Sequence, residues 1–403
     1  MPHFRKRYLA EIIPSSIAFS PIVGILGHRQ VGKTSLVERI AGKYITLDVK
    51  ADRELARTQP GQFLSENHSD PLVIDECQKA SVLFDEIKEW VRTHKKPGQF
   101  LLTGSVRFSS KKAIRESLTG RIIYHELIPF TVSEIEHRPL PNVIRTLIQA
   151  KDSASWIQAR QRNRSVPASL LKAIRDYQKY GGLPGVFFVR NDKLRTQKIA
   201  DQLQTILDRD LREIVKTSLS FSQLLEFAES LAKQEGQPIS YTQLQRDTGV
   251  SAVSAKKLIV GFEAVFLIRL LKVEGGKKGW VFYWEDHAES RYFSGNKLDP
   301  SIYSSGFIYR NVRAEFFYQG EHHFRFFHYL TRHNTTVPIG LEWEGKYLGF
   351  LPILAVRPSH AELMAAQSFL KRYNDAKVLM IHSCAETALV SERIVLLPEA
   401  ALF

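Results

Sequence analysis

Residues 27–35 read GHRQVGKTS, directly after the apolar run PIVGIL that ends at residue 26. The pattern is G-x-x-x-x-G-K-[ST], placed after a predicted strand and before the predicted helix TSLVERIAG. That placement has a mechanism. Gly27 and Gly32 let the backbone curl so that successive amide groups and the helix N-terminus face a chain of phosphates. The intervening His28, Arg29, Gln30 and Val31 contribute their amides to the same cradle. Lys33 supplies a point charge to the β and γ phosphates, the Thr34 hydroxyl is a ligand for Mg²⁺, and Ser35 follows on the first turn.

A second element supports the first. PLVIDE, residues 71–76, ends an uncharged run in Asp75 and Glu76. At the tip of a strand beside a phosphate loop, Asp75 is placed to hold Mg²⁺ and Glu76 to polarise the attacking water. The next apolar run, QFLLTGS, ends in Thr103 and Ser105. In P-loop enzymes with a glutamate base this strand lies between the other two, so Thr103 or Ser105 is placed to bond the phosphate or the water. A plain turn at Gly104 is the competing reading.

Around these motifs the chain alternates short apolar runs with amphipathic stretches, which predicts an α/β fold with a parallel sheet covered by helices. The candidate strands are IVGIL, YITLD, PLVID, QFLLTG and RIIYHEL; SVLFDEIKEWVRTH places Leu83, Phe84, Ile87, Trp90 and Val91 on one helical face. The core is assigned to residues 1–138. The polar, basic stretch from 139 to about 175 reads as a linker or lid, within a helical region reaching residue 235. Residues 236–298 suggest a short helix, a turn at Gly249, a second helix and a two-stranded wing turning at Gly275 and Gly276, a winged helix-turn-helix pattern. Residues 299–403 carry a shorter α/β pattern.

The 403 residues carry a formal net charge of +14, unevenly spread: 36 Lys and Arg against 25 Asp and Glu up to residue 230, and 20 against 17 beyond it. A basic surface favours polyanions such as nucleic acid, nucleotides or anionic membrane. Between residues 240 and 284, Arg246, Lys256, Lys257, Arg269, Lys272, Lys277 and Lys278 face only Asp247, Glu263 and Glu274. With Lys256 and Lys257 on the second helix and Lys277 and Lys278 on the wing tip, DNA is the expected partner; a purely structural or oligomer contact is the alternative. No apolar run approaches the ~20 residues needed to cross a bilayer, and the start lacks a signal-peptide pattern, so the expected place is the cytoplasm. Cys77 and Cys384 have no metal spacing and suit a reducing compartment.

Taken together, HRQVGKTSL, VIDECQKASVLFDEIKEWV, FLLTGS, SLTGR followed by ELIPFTVSEIE, and KYGGLPGV resemble a widespread group of bacterial and archaeal AAA+ ATPases that carry a winged-helix segment and a C-terminal domain of restriction-endonuclease-like fold. The resemblance spans roughly residues 1 to 290 and fades beyond. It implies ATP with Mg²⁺ as cofactors, and makes Arg121, in LTGR, a candidate for sensing γ-phosphate charge in its own subunit or, in a homo-oligomer, a neighbour's. A surface arginine opening a strand is the plainer reading. Gln78 and Lys79 also match, with no evident chemistry. The last domain would resemble metal-dependent nucleases, but the residues depart from that pattern. TVPIGL and ILAVRPS stand where the acidic ligands belong, and no acidic residue occurs from Gly345 to Ala361. Clustered carboxylates are needed to fix a catalytic metal, so this site is expected to be dead, with Glu315 an isolated remnant. His322, His323, His328 and His333 read as part of an ordinary aromatic strand rather than a metal site.

The function these readings support is a Mg²⁺-dependent ATP hydrolase coupled to conformational change on DNA. A nucleotide-controlled switch or scaffold for a protein partner, hydrolysing slowly, is the alternative.

Overall fold

A computed structural model describes residues 5–40, 42–107, 118–161, 166–295, 299–320, 323–383 and 386–403. Cys384 and His322 lie outside them. The chain divides into two compact units. One comprises Met1–Pro129, Leu183–Phe221 and Lys256–Leu267; the other comprises Phe130–Gly182, Ser222–Ala255 and Ile268–Phe403.

The first unit is built on five strands: β1 (Ile22–Leu26), β2 (Lys43–Thr46), β3 (Leu72–Asp75), β4 (Phe100–Gly104) and β5 (Ile122–Glu126). Each matches one of the five apolar runs. They pair in the order β2-β3-β4-β1-β5, every neighbour parallel. Parallel strands need both faces covered, which is why these read as continuous apolar runs instead of alternating ones; β1, β3 and β4 are buried throughout. The helix Leu83–His94 buries Leu83, Phe84, Ile87 and Val91 against the sheet, with Trp90 packed at the margin. In register, Ile22 faces both Phe100 and Ile122, and Leu26 faces both Gly104 and Glu126. The carboxyl ends of β1, β3 and β4 therefore lie side by side, where ligands bind in open α/β sheets.

The second unit holds β6 (Ile268–Glu274), β7 (Trp280–Trp284), β8 (Phe324–Leu330), β9 (Thr336–Trp343), β10 (Lys346–Pro352), β11 (Ala376–His382), β12 (Ala388–Ser391) and β13 (Ile394–Pro398). They form one sheet in the order β12-β13-β11-β10-β9-β8-β6-β7. The hairpin β6–β7 turns at Gly275 and Gly276, both with positive φ, as the sequence predicts. Yet β6 also pairs with β8, Lys272 opposite Phe327 and Glu274 opposite Tyr329. The strands read as a separate wing are thus the margin of the C-terminal sheet.

The linear partition at residues 138, 235 and 298 is crossed in both directions, because long-range strand pairing and packing leave no local periodicity to read. The stretch read as a linker or lid forms the helices Val143–Gln149, Ser153–Gln161 and Ala168–Tyr180. The first buries Val143, Ile144, Leu147 and Ile148. Its two ends are capped from elsewhere in the unit. The Glu315 carboxylate accepts from the amides of Ile144 (3.2 Å) and Arg145 (2.8 Å), and the Lys377 ammonium donates to the carbonyls of Leu147 and Ala150. These are the groups a helix leaves unpaired. Glu315, expected as an isolated remnant of a nuclease site, caps this helix. His328 is buried in β8 with Nδ1 on the Pro338 carbonyl at 2.9 Å, and burial lowers its pKa to about 4.

Burial pushes the Glu315 carboxyl up to about 7, and the two amides only partly offset it. A carboxyl whose folded pKa is raised contributes stability that is fully present below the unfolded value near ~4.3 and lost as pH rises through the folded one. Urea unfolding of the wild type should therefore weaken between pH 5 and pH 8, by on the order of 2 kcal/mol from this group. Glu315→Gln should flatten that slope; an unchanged slope would exclude the buried titration.

Candidate nucleotide site

The loop after β1 begins at a point where only glycine fits. A Cβ on Gly27 would lie 2.3 Å from the Leu127 carbonyl oxygen. Gln30 and Gly32 then take left-handed backbone, φ 60° and 97°, which curls the loop before the helix that starts at Lys33. Val31 is fully buried and its carbonyl accepts from Arg7 at 2.8 Å, while the second arm of Arg7 reaches the Ile128 carbonyl. Arg29 forms a two-point ion pair with Asp210, Nε to Oδ2 at 2.8 Å and Nη2 to Oδ1 at 3.2 Å. His28 places Nδ1 on the Arg29 carbonyl at 2.7 Å, and Gln202 approaches the same nitrogen at 3.4 Å. The flanks of the loop are thus held by Arg7, Gln202 and Asp210, which lie far from it in sequence.

Lys33 is buried, with its ammonium 2.9 Å from the carbonyls of both Gly27 and His28. Burial lowers its pKa, opposed by the negative charges of Glu76 and Asp75. The loop therefore closes around its own cation, the arrangement a phosphate chain would enter from the amide side. Thr34 stands at the exposed helix start with Oγ1 donating to Asp75 Oδ2 at 2.8 Å. Ser35 is exposed beside it.

Asp75, at the tip of β3, is the meeting point of three hydroxyls. Thr34 and Tyr44 (2.7 Å) donate to Oδ2, and Thr103, from β4, donates to Oδ1. Burial and the Asp75 charge both push the Tyr44 phenol upward, so it stays a donor. A hydroxyl and one carboxylate are a sparse donor set, which suits Mg²⁺ because that ion keeps several waters and takes its other ligands from phosphates. Among the described residues no group of three or more His, Cys, Asp or Glu side chains gathers as a metal cage would.

Glu76 follows in left-handed backbone, φ 54°, and its Oε2 accepts from Gln78 at 2.6 Å and from Ser105 at 3.2 Å. Cys77 is buried with its thiol on the Thr103 carbonyl.

The structure brings together Lys33, Thr34, Asp75, Glu76, Thr103 and Ser105, as their strand order requires. Thr103 donates to Asp75, because adjacent strand tips lie within hydrogen-bond reach. Arg121 precedes Ile122, the partner of Ile22, so it sits at the amino end of the sheet, opposite the loop that follows Leu26. Five strand residues at about 3.3 Å each separate it from that edge, and its side chain bonds the Thr119 carbonyl. Tyr44, Arg7 and Asp210 carry no sequence signal that would single them out. Gln78 matched the family pattern but only geometry gives it a partner.

The match to a family model agrees with this geometry. Residues 19–136 match the family model described as an AAA domain, and residues 171–274 match a domain of unknown function, DUF8612. Uncharacterized proteins of Mycobacterium bovis and Mycobacterium tuberculosis are each 24% identical over 269 residues, 66% of this chain and 53% of theirs. The chain thus spans about half the length of the curated relatives it matches. Among solved structures, the Walker-type ATPase PABY2304 of Pyrococcus abyssi aligns with 70% of this chain and 94% of its own at 14% identity and a TM-score of 0.41. AMPPCP-bound DnaA from Aquifex aeolicus aligns with 63% and 86% at 14% identity and a TM-score of 0.25. The segment that matches the AAA domain model, residues 19–136, holds the phosphate loop, the acidic strand tip and the five-stranded parallel sheet of a P-loop fold.

Proposed function

We propose that this chain is a Mg²⁺-dependent ATP hydrolase whose turnover drives or resets a conformational change on DNA. One observation carries the hydrolase reading: Thr34 of the phosphate loop and Asp75 of the acidic strand meet at 2.8 Å, with Glu76 the next residue. Bound ATP with Mg²⁺ supplies a phosphoanhydride bond and a cation that neutralises charge developing across it. The protein's residues do the rest. Loop amides from Gly27 to Thr34 hold the phosphates, Lys33 stabilises the oxygens of the terminal group, and Thr34 with Asp75 holds the metal. Glu76 takes a proton from the attacking water, which needs a carboxylate within hydrogen-bond reach of that water.

The DNA reading rests on the segment 240–284. The helices Tyr241–Thr248 and Ala252–Ala264 flank Gly249, which takes the left-handed backbone (φ 70°) that a tight turn demands, and the hairpin follows. This is the order of a winged helix-turn-helix. Arg246, Lys256, Lys257, Lys272 and Lys278 are exposed. Arg269 is not part of that surface: it is buried on Glu285 at 2.5 Å. Lys277 is exposed but bonds Asn334, so the wing tip offers fewer free cations than its composition suggests. Val253 and Val260 stand on the exposed face of the second helix with the two lysines, a mix that suits a groove with both phosphates and base edges. Arg121 would act only on a neighbouring subunit in an oligomer. No helix among the described residues is long and apolar enough to cross a membrane.

Glu76→Gln should bind ATP with wild-type affinity by calorimetry while turnover falls by roughly 10²–10⁴-fold, the usual contribution of a general base. Full activity in that variant would remove Glu76 from its role. Duplex DNA should raise the steady-state ATPase rate, and the double variant Lys256→Glu, Lys257→Glu should abolish that rise without changing the basal rate. A rate indifferent to DNA, with nucleotide tightly retained, would instead make the chain a nucleotide-controlled switch for a protein partner.

A further inference from the structure

Beside the proposed base lies a buried amide to which nothing above assigns a task. Gln78 is 5% exposed, within the short 3₁₀ turn Cys77–Lys79 that follows Glu76. The turn is pinned: Cys77 is buried with its thiol on the Thr103 carbonyl, and the Lys79 amide donates to the Glu76 carbonyl at 3.1 Å. From this fixed backbone the side chain turns back toward Glu76, two residues earlier. Gln78 Nε2 donates to Glu76 Oε2 at 2.6 Å and to Ser105 Oγ at 3.3 Å, and Ser105 Oγ donates to the same Glu76 oxygen at 3.2 Å.

The three groups admit one consistent proton arrangement. An ionised carboxylate can only accept, and a serine hydroxyl has one proton to give. If Ser105 gives its proton to Glu76, its lone pair must receive from Gln78, which requires the amide nitrogen on that side. The flipped amide would set its oxygen against the carboxylate. Both donors therefore fall on Oε2, and neither occupies Oε1. Ser105 is 1% exposed, so this triangle is shielded from competing water.

Resting on the hydrolase reading above, we infer that Gln78 is the positioning residue for Glu76: together with Ser105 it anchors Oε2 and leaves Oε1 to the attacking water. As the water oxygen bonds to the terminal phosphorus and the bridging P–O bond breaks, the proton of that water passes to Oε1 and later to solvent. The base must be aimed at the moment of attack. A carboxylate on a left-handed residue at a strand tip, with two free side-chain torsions beyond Cβ, would otherwise sample directions away from the water. A misplacement of about 1 Å can cost on the order of 10²-fold in rate. Ground-state nucleotide binding does not use this contact, so the loss should appear in kcat alone.

The test is steady-state ATPase kinetics with binding of a non-hydrolysable ATP analogue, on the full chain. Gln78→Met keeps length and removes the donor; Gln78→Asn keeps the amide but is one methylene too short. Both should lower kcat by about 10–100-fold with KM and analogue affinity within about twofold of wild type. Ser105→Ala should lose less, and Gln78→Met with Ser105→Ala should lose less than the product of the single effects, since both act on one oxygen. If Gln78→Met fails to fold by circular dichroism, Gln78→Asn carries the comparison. Folded variants with wild-type kcat overturn the inference, as does a loss of kcat matched by an equal loss of analogue affinity, which would mark a merely structural role. A wild-type chain without turnover overturns the hydrolase reading itself, and a wild type that turns over beside unaffected variants overturns only the role of Gln78.

Discussion

The carboxylate of Asp75 is the constraint on which the site depends. It stands at the end of β3 and accepts hydroxyl bonds from Thr34 on the phosphate loop, Tyr44 on β2 and Thr103 on β4. Those three donors sit on segments that meet only at the carboxyl edge of the sheet. Charge-assisted hydrogen bonds of this kind are about twice as strong as neutral ones, and three of them on one buried group fix its rotamer. Glu76, the next residue, inherits that position. Its own carboxylate is then set by a second, smaller group of donors, so the carboxylates proposed to hold the metal and to act as the base are fixed by separate hydrogen-bond sets on adjacent residues.

The phosphate loop is restrained in the same way, from outside. Arg7 bonds the carbonyl of Val31, and Asp210 pairs with Arg29 from the π-turn Ile206–Asp210. Turns of this type are rare overall and frequent at functional sites. From the same turn the chain continues to Leu211 and Val215, which crowd Gly261 of the second helix so closely that a Cβ there would lie 2.4 Å from Val215. Leu211, Val215 and Gly261 belong to the same compact unit as the phosphate loop.

The second unit stakes its stability on buried charge. Glu285 binds both Arg269 and Arg313, and Glu235 binds Arg310, all nearly inaccessible to water. The two arginines outweigh the cost of burying Glu285 and hold it ionised, below the usual carboxylate range. Arg310 also donates to the Trp284 carbonyl and to Nδ1 of His287, which burial and that arginine keep neutral. Such networks are costly when any partner is lost, and they take basic residues out of the surface count on which a charge argument relies.

The phosphate loop, the acidic strand tip, the five core strands and the helix Leu83–His94 were all legible in the sequence, because each is a local pattern: glycines where the backbone must curl, apolar runs where both sheet faces are covered, a period of 3.6 where one face is. The turn at Gly249 and the hairpin at Gly275 and Gly276 were legible for the same reason. What only the tertiary structure decided is which distant residues complete these patterns. The pairing of β6 with β8, the capping of Val143–Gln149 by Glu315 and Lys377, the Arg29–Asp210 ion pair and the distance of Arg121 from the loop are set by strand register and packing between segments tens to hundreds of residues apart. A hydrogen bond across such a gap leaves no period in the sequence on either side, so composition and spacing identify the chemistry while folding alone chooses its partners.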